Sequence, residues 1–241
     1  VKYGIIMISK DSPVVILCGG EGTRLHTKTD KIPKPLIEVG DRPIVHHIMD
    51  IYAKHGFSHF ILCLGYKGDL IKNYFSELET NWKVDCVDTG PKTNTGGRIK
   101  KIQELVKTEH FLATYGDGLA NVNLDAEIEC HIQSGKLATI TAVQPYSQFG
   151  ILNLNDKDEI IGFAEKPKLD NWINGGYFIF NKKVFEYLDE DCVLEQDPFE
   201  NLASDNEIKA FKHEGFWSCM DTFKDYQKLN GLWDKETSPW M

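Results

Sequence analysis

Short β-branched runs alternate with amphipathic helical stretches through the first half of this chain, and that alternation limits its fold more than any other feature. Val14 to Leu17 is an apolar run ending in glycines, Pro43 to His55 repeats its apolar residues at helical spacing, and Phe60 to Leu64 is apolar again. The order continues with a helix near Asp69 to Leu78, a strand near Lys83 to Val87, a helix from Gly97 to Val106 and a strand from Phe111 to Tyr115. Parallel strands need crossover connections, and helices supply them. The pattern therefore predicts an α/β, Rossmann-like, mostly parallel sheet with helices on both faces.

After Gly118 the strand signals grow denser, at Ala138 to Val143, Gly150 to Leu154, Ile160 to Ala164 and Gly176 to Phe180, with a helix near Ala126 to Gly135. Helices are expected again at Lys183 to Leu188 and Phe223 to Trp233. We read this half as a mixed β extension. No internal repeat, low-complexity tract or Pro/Ser/Gly-rich linker marks a boundary, so 14–241 reads as a single domain. Residues 1–13 read as an N-terminal extension, of which Val1 to Ile6 carry no functional weight.

Charge narrows the partners. With 27 Lys and Arg against 36 Asp and Glu, the net charge of −9 gives no general attraction to nucleic acid or to an anionic membrane. Any polyanion must be held at a local site. No stretch approaches the ~18 consecutive apolar residues of a membrane span. The six cysteines are scattered without a C-x-x-C pair, which suits reduced thiols in a cytoplasmic protein rather than a disulfide framework or zinc site.

The segment Cys18-Gly19-Gly20-Glu21-Gly22-Thr23-Arg24-Leu25 follows a buried strand, as a phosphate-cradling loop does. Its glycines permit unusual dihedrals and leave backbone N–H groups open to phosphate oxygens, while Arg24 adds a permanently charged fork. Lys31-Ile32-Pro33-Lys34-Pro35-Leu36 sets a lysine between two prolines, an extended and rigid frame able to aim an ammonium back into that loop. A dinucleotide-binding fingerprint requires G-x-G-x-x-G leading into a helix, and a P-loop requires a lysine followed by serine or threonine; neither is present.

The glycine loop followed by Pro33-Lys34-Pro35 resembles the signature of the sugar-nucleotide pyrophosphorylase family. The likeness is strongest to glucose-1-phosphate cytidylyltransferases and runs from about Val14 to Trp240. It is carried by Val87-Asp88-Thr89-Gly90, Thr95-Gly96-Gly97-Arg98, Tyr115-Gly116-Asp117-Gly118, Glu165-Lys166-Pro167, Ile173-Asn174-Gly175-Gly176, Met220-Asp221-Thr222 and Gly231-Leu232-Trp233. The resemblance implies a GT-A-like nucleotidyltransferase fold, with 14–118 binding the NTP and 119–241 the acceptor. It further implies Mg²⁺-dependent transfer of CMP from CTP to a phosphorylated small molecule, glucose 1-phosphate by default, with pyrophosphate released. Homo-oligomerisation stays open.

Carried over residue by residue, the resemblance makes Lys34 and Arg24 catalytic, Lys34 at the α-phosphate and Arg24 at the β- and γ-phosphates. Cys18, Gly19, Gly20, Gly22, Thr23, Thr95, Gly96, Gly97, Tyr115 and Gly116 would hold the nucleotide. Asp117 and Asp221 would hold Mg²⁺, which takes few carboxylates and keeps places for phosphate oxygens and water. Lys166, Glu165, Asn174, Gly175 and Tyr177 would meet the acceptor. Each has a plainer local reading: Asp117 as a turn aspartate, Asp221 and Thr95 as helix starts, Lys166 as a solvated lysine, Asn174 to Gly176 as a strand bulge.

Two departures bear on the acceptor. Only Ser76 to Cys86 fill a space where the glucose enzymes carry a longer excursion, and Gln148 stands where they carry an arginine before Phe-Gly. A phosphorylated amino-acid amide is the alternative acceptor, UTP or dTTP the alternative nucleotide, and a non-catalytic nucleotide-sensing subunit the alternative class. His46, His47 and His55, on the Pro43 to His55 helix, are expected to be structural.

Overall fold

The computed structural model describes residues 8–22, 25, 31–235 and 237–241. Its strands are β1 (Val14–Cys18), β2 (Glu38–Val39), β3 (Arg42–Pro43), β4 (His59–Leu64), β5 (Lys83–Asp88), β6 (His110–Tyr115), β7 (Gly118–Ala120), β8 (Ala138–Val143), β9 (Ile151–Leu154), β10 (Ile160–Ala164), β11 (Ile173–Asn181), β12 (Ile208–His213) and β13 (Trp217–Cys219). The α-helices are α1 (Ile44–Lys54), α2 (Gly68–Glu77), α3 (Thr95–Lys101), α4 (Leu124–Ser134), α5 (Asp197–Ser204) and α6 (Phe223–Trp233).

Seven strands form one sheet in the order β12-β8-β11-β6-β1-β4-β5. All run parallel except β11, which is antiparallel to both β6 and β8. The expected mixed extension is thus largely part of this main sheet. Outside that sheet, among the described residues, lie the antiparallel pairs β2-β3, β7-β13 and β9-β10, the last a hairpin on an arm. Tyr146, Phe149, Leu152, Leu154, Ile160, Ile161 and Phe163 lie exposed on that arm.

Side chains alternate across a strand, so a doubly covered sheet buries both sets. Val14, Ile16 and Cys18 enter one apolar cluster with α1 residues such as Ile48 and Tyr52. Val15 and Leu17 enter the other, with Ile99, Phe111 and Phe178. The helical histidines serve packing: buried His47 meets Val39 O at 2.8 Å, and His46 Nδ1 meets the Tyr74 hydroxyl at 3.1 Å.

Local differences from the sequence expectations have local causes. The helix expected over Gly97 to Val106 starts at Thr95 and ends at Lys101, giving way to a 3₁₀ turn, Gln103–Leu105. The segment expected as a helix from Lys183 to Leu188 is a 3₁₀ helix, Lys182–Tyr187. Helix α5 and edge strand β12 carry weak signals: β12 is largely exposed, and Lys209, Lys212 and His213 interrupt any period-2 alternation.

Strand order places the site. From the central β1 the sheet continues to β4 on one side and to β6 on the other, so a crevice opens outside the carboxyl ends of β1 and β6. Since β11 runs backwards, its amino end, Ile173 to Gly176, comes to the same rim.

Candidate active site

A cleft of about 610 Å³ lies at that rim, walled by Cys18, Gly19, Gly20 and Gly22 on the loop side and by Asn174, Gly175, Gly176 and Trp217 opposite. Lys34, Tyr115, Gly116, Asp117 and Asp221 also face it. Thr23 and Arg24 lie outside the described residues.

Lys34 begins a 3₁₀ turn capped by Pro33, with Pro35 next in the chain. The backbone is therefore stiff, and the nearly buried side chain reaches the cleft as the sequence predicts. Its ammonium lies 2.6 Å from Asp117 Oδ2 and 2.7 Å from Asp221 Oδ1. Burial works to lower the Lys34 pKa, but the two carboxylates outweigh it and hold the pKa above the usual lysine value.

Asp117 sits in the two-residue gap between β6 and β7, and Asp221 follows β13, which pairs with β7. Met220 N–H donates to Asp117 O at 2.9 Å, locking the two segments together. Asp221 is not the cap of α6. That role belongs to Thr222, whose hydroxyl accepts from Asp225 N while the Asp225 side chain takes the Thr222 N–H in a capping box.

Several of the expected residues lie away from the cleft lining. Gly96 and Gly97 do not face the cleft: a Cβ at Gly96 would lie 2.5 Å from Cys192 Sγ, and one at Gly97 would lie 2.4 Å from Glu190 O. Their bare faces let α3 approach the 190–194 loop, and Gly97 N donates to Cys192 O at 3.1 Å. Tyr177 is buried beneath the cleft, its hydroxyl donating to Gly118 O at 3.0 Å, because strand alternation turns it into the core. Glu165 and Lys166 pair with each other at 2.6 Å, half exposed on the arm and outside the cleft lining. Lys166 adopts φ +45°, a left-handed conformation that is uncommon and strained for a residue with a side chain.

Thr95 lines the cleft, but its hydroxyl is engaged behind it, accepting from Leu194 N at 2.9 Å and donating to Glu195 Oε2 at 2.7 Å. Thr93 and Asn94 reach the cleft beside it.

Arg98 is the residue that sequence reasoning passed over. Almost fully buried, it donates to Leu64 O, Thr89 Oγ1 and Gly90 O through Nη1, and to Gly19 O and Pro91 O through Nη2. It thus binds the ends of β1, β4 and β5 into one platform under the glycine loop. A Cβ on Gly19 would stand 2.0 Å from the guanidinium, so a larger residue there would push Arg98 out of these hydrogen bonds. A basic residue directly after a glycine pair was the available signal.

A family model described as Nucleotidyl transferase matches residues 13–233. The chain is 43% identical to the glucose-1-phosphate cytidylyltransferase of Salmonella typhimurium, with 94% of this chain and 97% of that one covered. It is 41% identical to the probable glucose-1-phosphate cytidylyltransferase of Bacillus subtilis, covering 94% and 98%. Among solved structures, HddC from Yersinia pseudotuberculosis matches with a TM-score of 0.72 at 26% identity, over 92% of this chain and 99% of that one.

Proposed function

This chain belongs to the nucleotidyl transferase family, and from that premise we propose that it transfers CMP from CTP to a phosphorylated small molecule, glucose 1-phosphate by default, releasing pyrophosphate. The observation that supports this most is the convergence of Lys34, Asp117 and Asp221 at a cleft floored by the glycine loop. A non-catalytic sensing subunit would normally lack a metal carboxylate or the phosphate lysine, and this chain keeps Lys34, Asp117 and Asp221.

The donor chemistry fits Mg²⁺. Two carboxylate oxygens already converge on a single positive charge, the Lys34 ammonium, and they are hard ligands, few in number, beside open cleft. Asp117 and Asp221 would hold the ion, which when bound neutralises phosphate charge and polarises the phosphorus–oxygen bonds.

In the transfer, an acceptor phosphate oxygen forms a bond to the α-phosphorus while the bond from that phosphorus to the bridging oxygen breaks and pyrophosphate leaves with the electron pair. The acceptor phosphate is ionised near neutral pH, so no general base is needed, and alignment with charge neutralisation is the protein's main task. We assign Lys34 to the α-phosphate, Arg24 to the β- and γ-phosphates, and the N–H groups of Gly19 to Gly22 to phosphate oxygens. Cys18, Tyr115 and Gly116 shape the nucleotide side, and Asn174 and Gly175 the acceptor side.

The arm favours a second acceptor reading. Gln148 is uncharged and exposed there, next to Ser147, whose N–H donates to Pro167 O, so a phosphorylated amino-acid amide is the alternative. No helix among the described residues is long and apolar enough to cross a membrane. The six cysteines are free, which supports a reducing, cytoplasmic setting.

The test is pyrophosphate release across CTP, UTP, dTTP, ATP and GTP against glucose 1-phosphate, other sugar phosphates and phosphorylated amino acids, with Mg²⁺ present or chelated. Release that requires CTP, Mg²⁺ and glucose 1-phosphate is expected. Release with another acceptor alone would replace the acceptor, and silence with every NTP would overturn the catalytic reading.

A further inference from the structure

Glu195 lies outside the cleft lining, in the loop before α5, yet it touches two residues that form the cleft wall. The Tyr115 hydroxyl donates to Glu195 Oε1 in a short hydrogen bond, and the Thr95 hydroxyl donates to Oε2 at 2.7 Å. Neither hydroxyl has a choice of direction. Thr95 Oγ1 already accepts from Leu194 N at 2.9 Å, and Tyr115 Oη already accepts from Asn174 Nδ2 at 3.0 Å. Both protons must therefore go outward to an acceptor. A carboxylate accepts at both oxygens, whereas an amide would set a donor against one hydroxyl.

What Tyr115 holds in turn is the rim of β11. Asn174 Oδ1 accepts from Gly176 N at 2.8 Å, and Gly176, at φ +81°, leaves room for the Tyr115 ring, which a Cβ would approach to 2.5 Å. The register of β11 against β8 breaks between Asn174 and Phe178. Trp217 Nε1 holds that irregular segment at Gly175 O, at 2.7 Å, while its Asn174 and Gly176 ends rest on the Asn174 amide and the Tyr115 ring, which are tied to the carboxylate.

We propose that Glu195 is a positioning residue for the acceptor: through Tyr115 and Asn174 it sets the shape of the Asn174–Gly176 rim, and through Thr95 it anchors that rim to the start of α3. This rests on the assignment of the rim to the acceptor side.

The test compares Glu195→Gln, Asn174→Ala and the double variant with the unaltered chain. We expect the KM for glucose 1-phosphate to rise about ten-fold in each single variant, the KM for CTP to change less than two-fold, and the double variant to be no worse than either single one. Hydrogen–deuterium exchange of the 172–178 segment, in the absence of substrates, should quicken in all three. A comparable rise for both substrates, additive losses, or unchanged exchange would overturn the proposal. If the unaltered chain releases no pyrophosphate with glucose 1-phosphate, the proposed function fails at that point, and the exchange measurement alone decides whether Glu195 holds the rim.

Discussion

The Lys34 ammonium lies 2.6 Å from Asp117 Oδ2, with Asp221 Oδ1 at 2.7 Å on the same nitrogen, so in the absence of ligand a side chain of the protein supplies the positive charge between the two carboxylates. On the proposed metal assignment a divalent ion and Lys34 would compete for the same two oxygens, and nucleotide binding would part the lysine from them. For Lys34→Ala we expect turnover to fall by about 10²–10³. Mn²⁺ affinity without nucleotide should rise, because the carboxylates lose their internal counter-charge. Titration by electron paramagnetic resonance reads the second effect, and weaker Mn²⁺ binding would contradict the competition.

Asp117→Asn and Asp221→Asn should each suppress turnover with folding retained and the thermal unfolding midpoint lowered. Each removes one of the two carboxylates paired with the nearly buried Lys34 ammonium. Chelation of Mg²⁺ should silence the unaltered chain in the same way. Full activity in both variants would remove the metal assignment.

Arg98→Met should destabilise the fold by roughly 3 kcal/mol or more, since all five hydrogen bonds of a nearly buried charged group are lost. The KM for CTP should rise along with the loss in stability, because Gly19 O loses its guanidinium donor and is then held, among the described residues, only by Tyr66 N. Arg98→Lys should recover part of the stability but not the fork geometry. Denaturant unfolding with steady-state kinetics separates the two effects, and an unchanged KM in a folded variant would remove the link to the loop.

Glu127, on α4, is fully buried against β8, where Thr141 Oγ1 donates to its Oε1 at 2.6 Å while Oε2 has no partner. Burial raises its pKa from the ordinary 4.5 to about 7. A raised carboxyl pKa means that the fold prefers the protonated form, so the stability it allows is full below about pH 4.5 and is lost as pH rises to about 7. Glu127→Gln should therefore stabilise the protein at pH 8 by on the order of 3 kcal/mol and flatten its stability profile between those two values. Unfolding midpoints across that range test this; a profile unchanged by the substitution would show that Glu127 titrates normally.

Where elements follow from local patterning, residues show it directly. Val14 to Cys18 and Phe60 to Leu64 are continuous apolar runs because they are covered on both faces, and α1 carries its apolar stripe at helical spacing. Glycine at 19 and the prolines around Lys34 announce the loop and the rigid frame. The rest was hidden by distance or by ambiguous chemistry. Lys34 meets Asp117 and Asp221 across 83 and 187 positions of chain. Glu195 is one acidic residue in the run Asp189 to Glu195, and nothing local separates it from its solvated neighbours.

The sequence by itself determined the alternating α/β plan, the phosphate loop with its lysine, and the family, because these are written in neighbouring residues through periodicity, dihedral freedom and contiguous motif. Only the tertiary structure decided which of the marked residues meet. It brought Lys34 onto both aspartates, turned Tyr177 into the core, gave Gly96 and Gly97 to helix packing, and left Lys166 on the arm. The physical reason lies in the strand order and the reversal of β11: a rim built from the ends of β1, β6 and β11 joins segments that no local pattern relates.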